Sequence, residues 1–130
     1  FVVAREQIDG QGHASNVAYV SWMQDAAIAH STANGWSSQR YLDQGEGWVA
    51  RSHFIEYLRP AFESDPLVVE TWVNGFRNVS STRRYEIRHS ENESLLAKAE
   101  TRWAFVSFTT GKPRPIPTEL RDAFTVVDRE

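Results

Sequence analysis

The feature that most restricts how this chain can fold is a long, almost uniformly apolar segment near its beginning. From Val17 to about Ala33, apolar residues surround most of a predicted helix, and charge enters only at Asp25. A surface helix would keep a broad polar face, so this pattern predicts a helix largely buried within the fold. Asn34-Gly35 is typical of a helix end, and a short second helix is predicted from Ser37 to Gln44.

Strand-forming sequence occupies most of the remaining chain. A first strand is predicted from Phe1 to Ile8, which precedes the turn residues Asp9-Gly10. Four further segments, rich in Val, Ile, Thr and aromatic residues, follow the helices and are separated by turn residues. They run from Trp48 to Leu58, Leu67 to Phe76, Thr82 to His89 and Leu95 to Phe108. Antiparallel meander pairing is expected, with a short terminal helix from Thr118 to Ala123.

These elements predict an α+β fold in which one sheet wraps a single helix. The 130 residues suit one domain, 1–130, with a single core. The last strand carries apolar residues on both faces, and the sheet has an exposed edge. Because a second subunit would cover such surfaces, we expect at least a dimer.

Composition excludes several classes of function. A net charge of -3 without a basic run gives no face for nucleic-acid binding. The chain has no cysteine, which excludes disulfides, thiolate metal sites and a cysteine nucleophile and fits a reducing cytoplasm. No apolar run is long enough to cross a bilayer, so we expect a soluble protein. The four histidines lack the spacing of zinc ligands, and no metal site is expected.

Asp9 is the first candidate for chemistry. It lies at a predicted strand end, in a loop that leads to the apolar helix, where a carboxylate facing a cleft can act as general base or nucleophile. The alternative is a turn-forming aspartate before glycine, which is a common use of Asp-Gly. From this dipeptide alone, both readings stay open.

His13 and Asn16 stand close to the predicted start of the helix. The free amides and the positive dipole end of a helix can orient a carbonyl group and stabilise charge that develops on its oxygen, a geometry that suits acyl transfer. The alternatives are a loop histidine bonded to the backbone and an asparagine that caps the helix. Ser15 is a second candidate for that cap.

A resemblance to a known family is carried by the segment from Asp9 to Tyr19, which reads DGQGHASNVAY. It resembles the opening motif of hotdog-fold acyl-CoA thioesterases, in the branch of 4-hydroxybenzoyl-CoA thioesterase and the related acyl-ACP thioesterases. Later segments resemble the second strand and turn of that family and the exit from its last strand. These segments are His53 to Ala61 and Gly111 to Pro117. The resemblance covers nearly the whole chain.

The resemblance implies a hotdog fold, with a five-stranded antiparallel sheet curled around one long central helix. It implies a thioester hydrolase that cleaves acyl-CoA or acyl-ACP to free acid and thiol, with active sites at the interfaces of a homodimer or homotetramer. Asp9 takes the position of the catalytic carboxylate. The amides near Gly12, His13 and the helix start at Asn16 receive the thioester carbonyl oxygen. No cofactor is expected, because coenzyme A is part of the substrate.

Substrate-binding residues are predicted at two places. Tyr19 belongs to the opening motif. Arg77, Ser80, Arg83 and Arg84 flank a serine-rich turn and are candidates for the phosphates of coenzyme A by location and charge. Arginines that are simply solvated on a strand are the alternative. Four tryptophans are similarly open to two readings, as lining of a ligand cleft or as core; they are Trp22, Trp48, Trp72 and Trp103.

Two departures from the family pattern bear on activity. Ser15 replaces the first of two asparagines in the motif, and Ala27 stands where many relatives have arginine. Two rival functions also remain. One is a noncatalytic module that binds an acyl-thioester or another small ligand, and the other is a hotdog dehydratase or hydratase.

Overall fold

The structure is a computed structural model that describes residues 1–129. A short 3-10 helix at Arg5–Gln7 precedes the regular elements. In chain order these are α1 (Asn16–Ala33), α2 (Ser38–Gln44), β1 (Glu46–Tyr57), β2 (Leu67–Phe76), β3 (Ser80–His89), β4 (Leu95–Ser107) and α3 (Thr118–Asp122). The predicted α+β class is confirmed, and each of the four later strand predictions corresponds to a strand.

The four strands form one antiparallel sheet in the order β1-β4-β3-β2. The last three strands are the expected meander, but β1 pairs with β4 and not with β2. The chain between β1 and β2 crosses the end of the sheet, where the Leu58 amide donates to the carbonyl of Leu96 and the Ala61 carbonyl accepts from Ala14. This crossing carries the chain past the start of α1 and over to the far edge.

The prediction of five strands and one long helix is wrong in detail. Within residues 1–129 the sheet has four strands, and the predicted first strand makes only isolated bridges, Val2 with Pro66 and Ile8 with Ala14. Its backbone instead bonds to the connection between β1 and β2, where the Val3 amide donates to the carbonyl of Asp65. The central helix α1 has 18 residues, which makes it shorter than the long helix that the resemblance implies.

Helix α1 buries one face rather than most of its circumference. The inner stripe packs against the sheet and consists of Ala18, Tyr19, Trp22, Met23 and Ala27. On the other side Val17 and Ile28 are 79% and 52% exposed. The expectation of a largely buried helix is therefore wrong for the outer face, because the sheet of one chain curves around only one side of the helix.

The interior divides into two clusters along α1. The first surrounds the N-terminal half of the helix and is tightly filled, with Met23, Tyr85 and Ile87 at most 1% exposed. The second lies beyond the C-terminal half, where Trp36 and Phe105 pack against α3 through Leu120. The two clusters give the helix two different environments.

The two edges of the sheet differ. Residues 126–129 cover the β2 edge, since Val126 bridges Val73 and the Val127 amide donates to the Val73 carbonyl. The β1 edge carries exposed side chains along most of its length, including Phe54, which is 68% exposed. An uncovered edge of this kind is a place where a second strand can pair.

Within residues 1–129, no helix is long and apolar enough to cross a membrane. No group of three His, Cys, Asp or Glu side chains in the same residues is arranged to hold a metal ion.

Candidate active site

Asp9 lies in a tight loop that its own side chain helps to fold. Its backbone amide donates to the His13 carbonyl at 2.7 Å, and its carboxylate Oδ1 accepts from the amides of Gln11 at 2.9 Å and His13 at 3.2 Å. Gly12 adopts a φ of 83°, a left-handed conformation that glycine enters without strain. The turn-forming role and the exposed carboxylate therefore coexist: Oδ1 organises the loop, whereas Oδ2 makes no hydrogen bond within residues 1–129.

The start of α1 follows this loop directly. The Ser15 side chain accepts from the Ala18 amide at 3.2 Å, which makes it the N-cap and leaves Asn16 as the first helical residue. Within residues 1–129, the backbone amides of Asn16 and Val17 have no acceptor. Unpaired amides at the positive end of a helix dipole form a ready site for an oxygen that carries negative charge. Ser15, which stands where the family motif has asparagine, thus serves as the cap of this helix.

The amides of Gly12 and His13 are placed differently from the sequence expectation. Both donate to Asp9, Gly12 to the backbone carbonyl at 3.1 Å and His13 to the carboxylate. The His13 amide helps to hold the carboxylate, the Gly12 amide closes the turn, and neither amide is free to donate to a ligand oxygen. The His13 ring is half-buried and meets the ring of Phe62 edge-on, at 5.3 Å between centroids.

Tyr19 lies beneath this loop in the core. It is 2% exposed and packs on the rings of Trp22 and Tyr57, each at 4.9 Å between centroids. Burial is the main cause that raises the pKa of Tyr19, and the nearby Tyr57 adds to the rise, whereas the backbone of Ala61 opposes it. The hydroxyl group is therefore neutral at physiological pH, and Tyr19 supports the floor of the site.

The four candidates for phosphate contacts do not form one cluster. Arg77 and Ser80 meet at the β2–β3 turn, where the Arg77 amide donates to the Ser80 carbonyl at 2.7 Å. Arg84 lies on the outer face of the sheet, bonded to Asn74 at 2.8 Å and paired with a glutamate of β4 at 3.2 Å. Arg83 points to the inner face, because adjacent residues of a strand face opposite sides.

The turn with Arg77 and Ser80 lies at the opposite end of the sheet from Asp9. The Asp9 loop packs beside the connection that ends where β2 begins, whereas the turn follows the end of β2. Ten residues of strand at about 3.3 Å each separate the two ends by roughly 30 Å. Within a single chain, these groups and Asp9 do not share one site.

A cavity of about 400 Å³ opens at the other end of α1. Helices α1 and α2 form one wall, and the inner face of the sheet forms the other. Aromatic rings dominate its lining, from Trp36, Tyr41, Trp48, Phe76, Trp103, Phe108 and Phe124, together with the buried Arg83. Of the four tryptophans considered from sequence, Trp48 and Trp103 line this cavity, whereas Trp22 belongs to the first core cluster.

The burial of Arg83 differs from the expectation drawn from the sequence, although the sequence contains a signal for it. Tyr85 and Ile87 alternate with charged residues along β3, which marks one buried face. Extending the same alternation two residues back from Tyr85 puts Arg83 on that face. The expectation that an arginine side chain is solvated overrode the period-two pattern.

The chain resembles known proteins in both sequence and structure. Residues 2–124 match the family described as Thioesterase-like superfamily. An oleoyl-acyl carrier protein thioesterase from Arabidopsis thaliana is 21% identical over 97% of this chain and 36% of its own length. This chain spans about a third or less of the length of the curated relatives it matches.

Two solved structures have a closely similar backbone. A 1,4-dihydroxy-2-naphthoyl-CoA thioesterase from Synechocystis aligns with a TM-score of 0.86 at 22% identity, over 95% of this chain and 90% of that one. A DHNA-CoA thioesterase from Staphylococcus aureus aligns with a TM-score of 0.88 at 21% identity, over 95% and 84% of the two chains. At these identities the likeness establishes a shared fold.

Proposed function

Because the chain belongs to the Thioesterase-like superfamily and has the hotdog fold, we propose that it is a thioester hydrolase that cleaves acyl-CoA or acyl-ACP to a free acid and a thiol. One observation carries this proposal. The Asp9 carboxylate is held by two backbone amides directly before a helix start at which the amides of Asn16 and Val17 are unpaired. A negative group and a site for a second negative charge are thus built into one loop and helix.

The chemistry follows from these two features. With Asp9 as general base, the carboxylate takes a proton from water while the water oxygen bonds to the thioester carbonyl carbon. The carbonyl oxygen becomes negative and is stabilised by the amides of Asn16 and Val17 and by the helix dipole. The C–S bond then breaks, the thiolate leaves and takes up a proton, and the acid is released. The protein supplies every group in this scheme, and coenzyme A enters only as part of the substrate.

The substrate class follows from the relatives. The named structures from Synechocystis and Staphylococcus aureus are thioesterases of CoA esters, and the Arabidopsis relative is a thioesterase of an acyl carrier protein. Both thiols present the same thioester group, which is what the Asp9 loop would act on. We therefore propose a small-molecule acyl-CoA or an acyl carrier protein thioester as substrate.

A homodimer would complete the site. The open β1 edge allows two copies to pair antiparallel, which would bring the Glu46 end of one β1 beside the Tyr57 end of the other. That arrangement would place the partner's β2–β3 turn, with its arginine and serine, near the Asp9 loop. It supports a homodimer, or a homotetramer built from such pairs, in which each copy contributes to both sites.

The first test measures thiol release from short, medium, long and aromatic acyl-CoA esters and from acyl carrier protein thioesters. We expect Asp9→Asn to lower kcat about 10²- to 10⁴-fold, because the amide keeps the shape but is not a base. Asp25→Asn removes the same charge from an exposed position of α1 and should leave turnover unchanged. Equal turnover of Asp9→Asn and wild type would refute the mechanism, and tight binding of thioesters without turnover would favour the binding module.

A second measurement separates the two roles of Asp9. In a single turnover in H2-18O, a general base directs the label into the released acid. A nucleophilic carboxylate forms a mixed anhydride, whose hydrolysis at the aspartyl carbon leaves the label in Asp9. Mass spectrometry of the peptide that contains Asp9 distinguishes these outcomes.

A further inference from the structure

Arg83 is a charged residue in an interior position. It is 7% exposed and reaches from the middle of β3 toward α1. Its Nη1 donates to His30 Nδ1 at 3.0 Å and to Thr71 Oγ1 at 3.1 Å. Burial, and then the charge of Arg83, lowers the pKa of His30, so this histidine is neutral and its Nδ1 accepts the bond. Both protein partners of the guanidinium group are therefore uncharged.

No carboxylate compensates this charge within residues 1–129. Each of the ion pairs found there joins other side chains. Burial lowers the pKa of Arg83, but an arginine keeps its proton in proteins. A buried charge without a counter-ion is costly, so a group of this kind calls for a compensating contact that residues 1–129 do not supply.

Two of the guanidinium nitrogens remain available to a ligand. Nε and Nη2 of Arg83 form no hydrogen bond with residues 1–129. Among these residues, the only fully buried side-chain nitrogen or oxygen without a hydrogen-bond partner is the Tyr85 hydroxyl oxygen. Neither Nε nor Nη2 is therefore fully buried. Arg83 is among the residues that line the aromatic cavity. Its Nε and Nη2 together form an edge that fits the two oxygens of a carboxylate.

The rest of the cavity suits an apolar body attached to such a group. Its volume of about 400 Å³ falls within the range of small-molecule sites. Trp48 and Trp103 contribute rings to the walls, whereas exposed Leu42 and Phe108 stand at the mouth. The lining is mostly apolar; it also includes three serines, a glutamine and a tyrosine, and Arg83 is its one charged residue within residues 1–129. A mostly apolar pocket with one fixed cation favours ligands with one anionic end.

We propose that this cavity is a binding site for apolar carboxylates, with the carboxylate on Arg83 and an aliphatic or aromatic body between the aromatic walls. The site is separate from the Asp9 loop. The filled core cluster around Tyr19, Met23 and Tyr85 lies between them along α1, with these side chains at most 2% exposed. A free acid and the distal carboxylate of a longer acyl group share this chemistry.

Binding can be measured without reference to hydrolysis. In 15N-labelled protein titrated with octanoate, the indole signals of Trp48 and Trp103 should shift, whereas that of Trp72, which donates to the Arg129 carbonyl outside the cavity, should not. Arg83→Gln should weaken octanoate binding at least tenfold. The matched control Arg102→Gln, which removes a 71% exposed guanidinium group, should bind octanoate like wild type.

Two further comparisons keep the test decisive. The neutral analogue 1-octanol should bind wild type more weakly than octanoate and should be insensitive to Arg83→Gln. Ala27→Phe narrows the cavity while keeping Arg83 and should also abolish the indole shifts, so the test stands if Arg83→Gln does not fold. Equal binding of octanol and octanoate to wild type, or unchanged octanoate binding in either variant, would overturn the proposal.

The source of the carboxylate is decided by a second ligand. Coenzyme A esterified to one end of suberate carries a free carboxylate at the distal end of the acyl group, and octanoyl-CoA lacks it. Both esters are added to Asp9→Asn protein, so that the proposed hydrolysis does not release octanoate from octanoyl-CoA. In that variant, shifts of Trp48 and Trp103 that depend on Arg83 with the suberate ester, and not with octanoyl-CoA, would identify the acyl group as the ligand. Shifts with octanoate alone would identify a free acid, and shifts with neither would contradict the proposal.

Discussion

The two ends of helix α1 differ in where a charged side chain lies: one charge is exposed and the other is buried. At the N-terminal end, the Asp9 carboxylate is exposed and is held by backbone amides over a filled core. At the C-terminal end, the Arg83 guanidinium group is buried and lines the aromatic cavity. A group that acts on a substrate in water needs access, whereas a group that selects a ligand gains strength from a dry pocket. Under the two proposals made above, the chemistry and the recognition of a ligand lie at opposite ends of one helix.

The largest effect on the free energy of unfolding is expected when a side chain is removed from the filled core under the N-terminal half of α1. Met23 is fully buried beneath the N-terminal half of α1, and Met23→Ala should lower the free energy of unfolding by about 2–5 kcal/mol, because the lost contacts leave a cavity. Ile28→Ala, at the rim of the cavity, should cost under about 1 kcal/mol, since that side chain is 52% exposed. Urea denaturation measures both values. Similar costs would mean that the two ends do not differ in packing.

The second prediction is a substitution that does not lower the free energy of unfolding. Arg83→Met removes the buried charge and places an apolar side chain of similar length beside the aromatic cavity. We expect the free energy of unfolding to stay equal or rise by up to about 4 kcal/mol, because desolvation of the charge no longer opposes folding. Thermal and urea denaturation in the absence of ligand test this. A clear loss of stability would show that the bonds to His30 and Thr71 hold the fold and would assign Arg83 a structural role.

The smallest effect concerns the start of α1. Ser15→Ala removes the side-chain bond to the Ala18 amide and should cost about 1 kcal/mol. Ser21→Ala, at an exposed position inside the same helix, serves as the control and should change stability little. Ser15→Asn should restore stability, since asparagine caps equally well. If Ser15→Ala also fails to change stability, the helix start is held by the loop rather than by its cap.

Much of the structure at the N-terminal end of α1 could be predicted from the sequence, because most of its contacts are local. Apart from the Ala14 amide, which donates to the distant Ala61 carbonyl, the loop from Asp9 to Ser15 is folded by bonds between residues at most eight positions apart. The turn residues and the cap are therefore visible in the order of the residues. The β1–β4 pairing could not be read in this way. It joins residues about 40 to 60 positions apart, and the alternating pattern of a strand does not say which neighbour it takes.

By itself, the sequence determined the α+β class, the position of four strands and three helices, and the loop that holds Asp9. Periodicity, turn residues and helix caps depend on residues a few positions apart, so a short stretch of sequence is enough to recognise them. Only the tertiary structure decided that the first segment is not a strand, that one face of α1 stays exposed, and that Arg83 meets an aromatic cavity. Burial depends on which distant surfaces come together, and an arginine becomes an interior charge only when the helix and the sheet close over it.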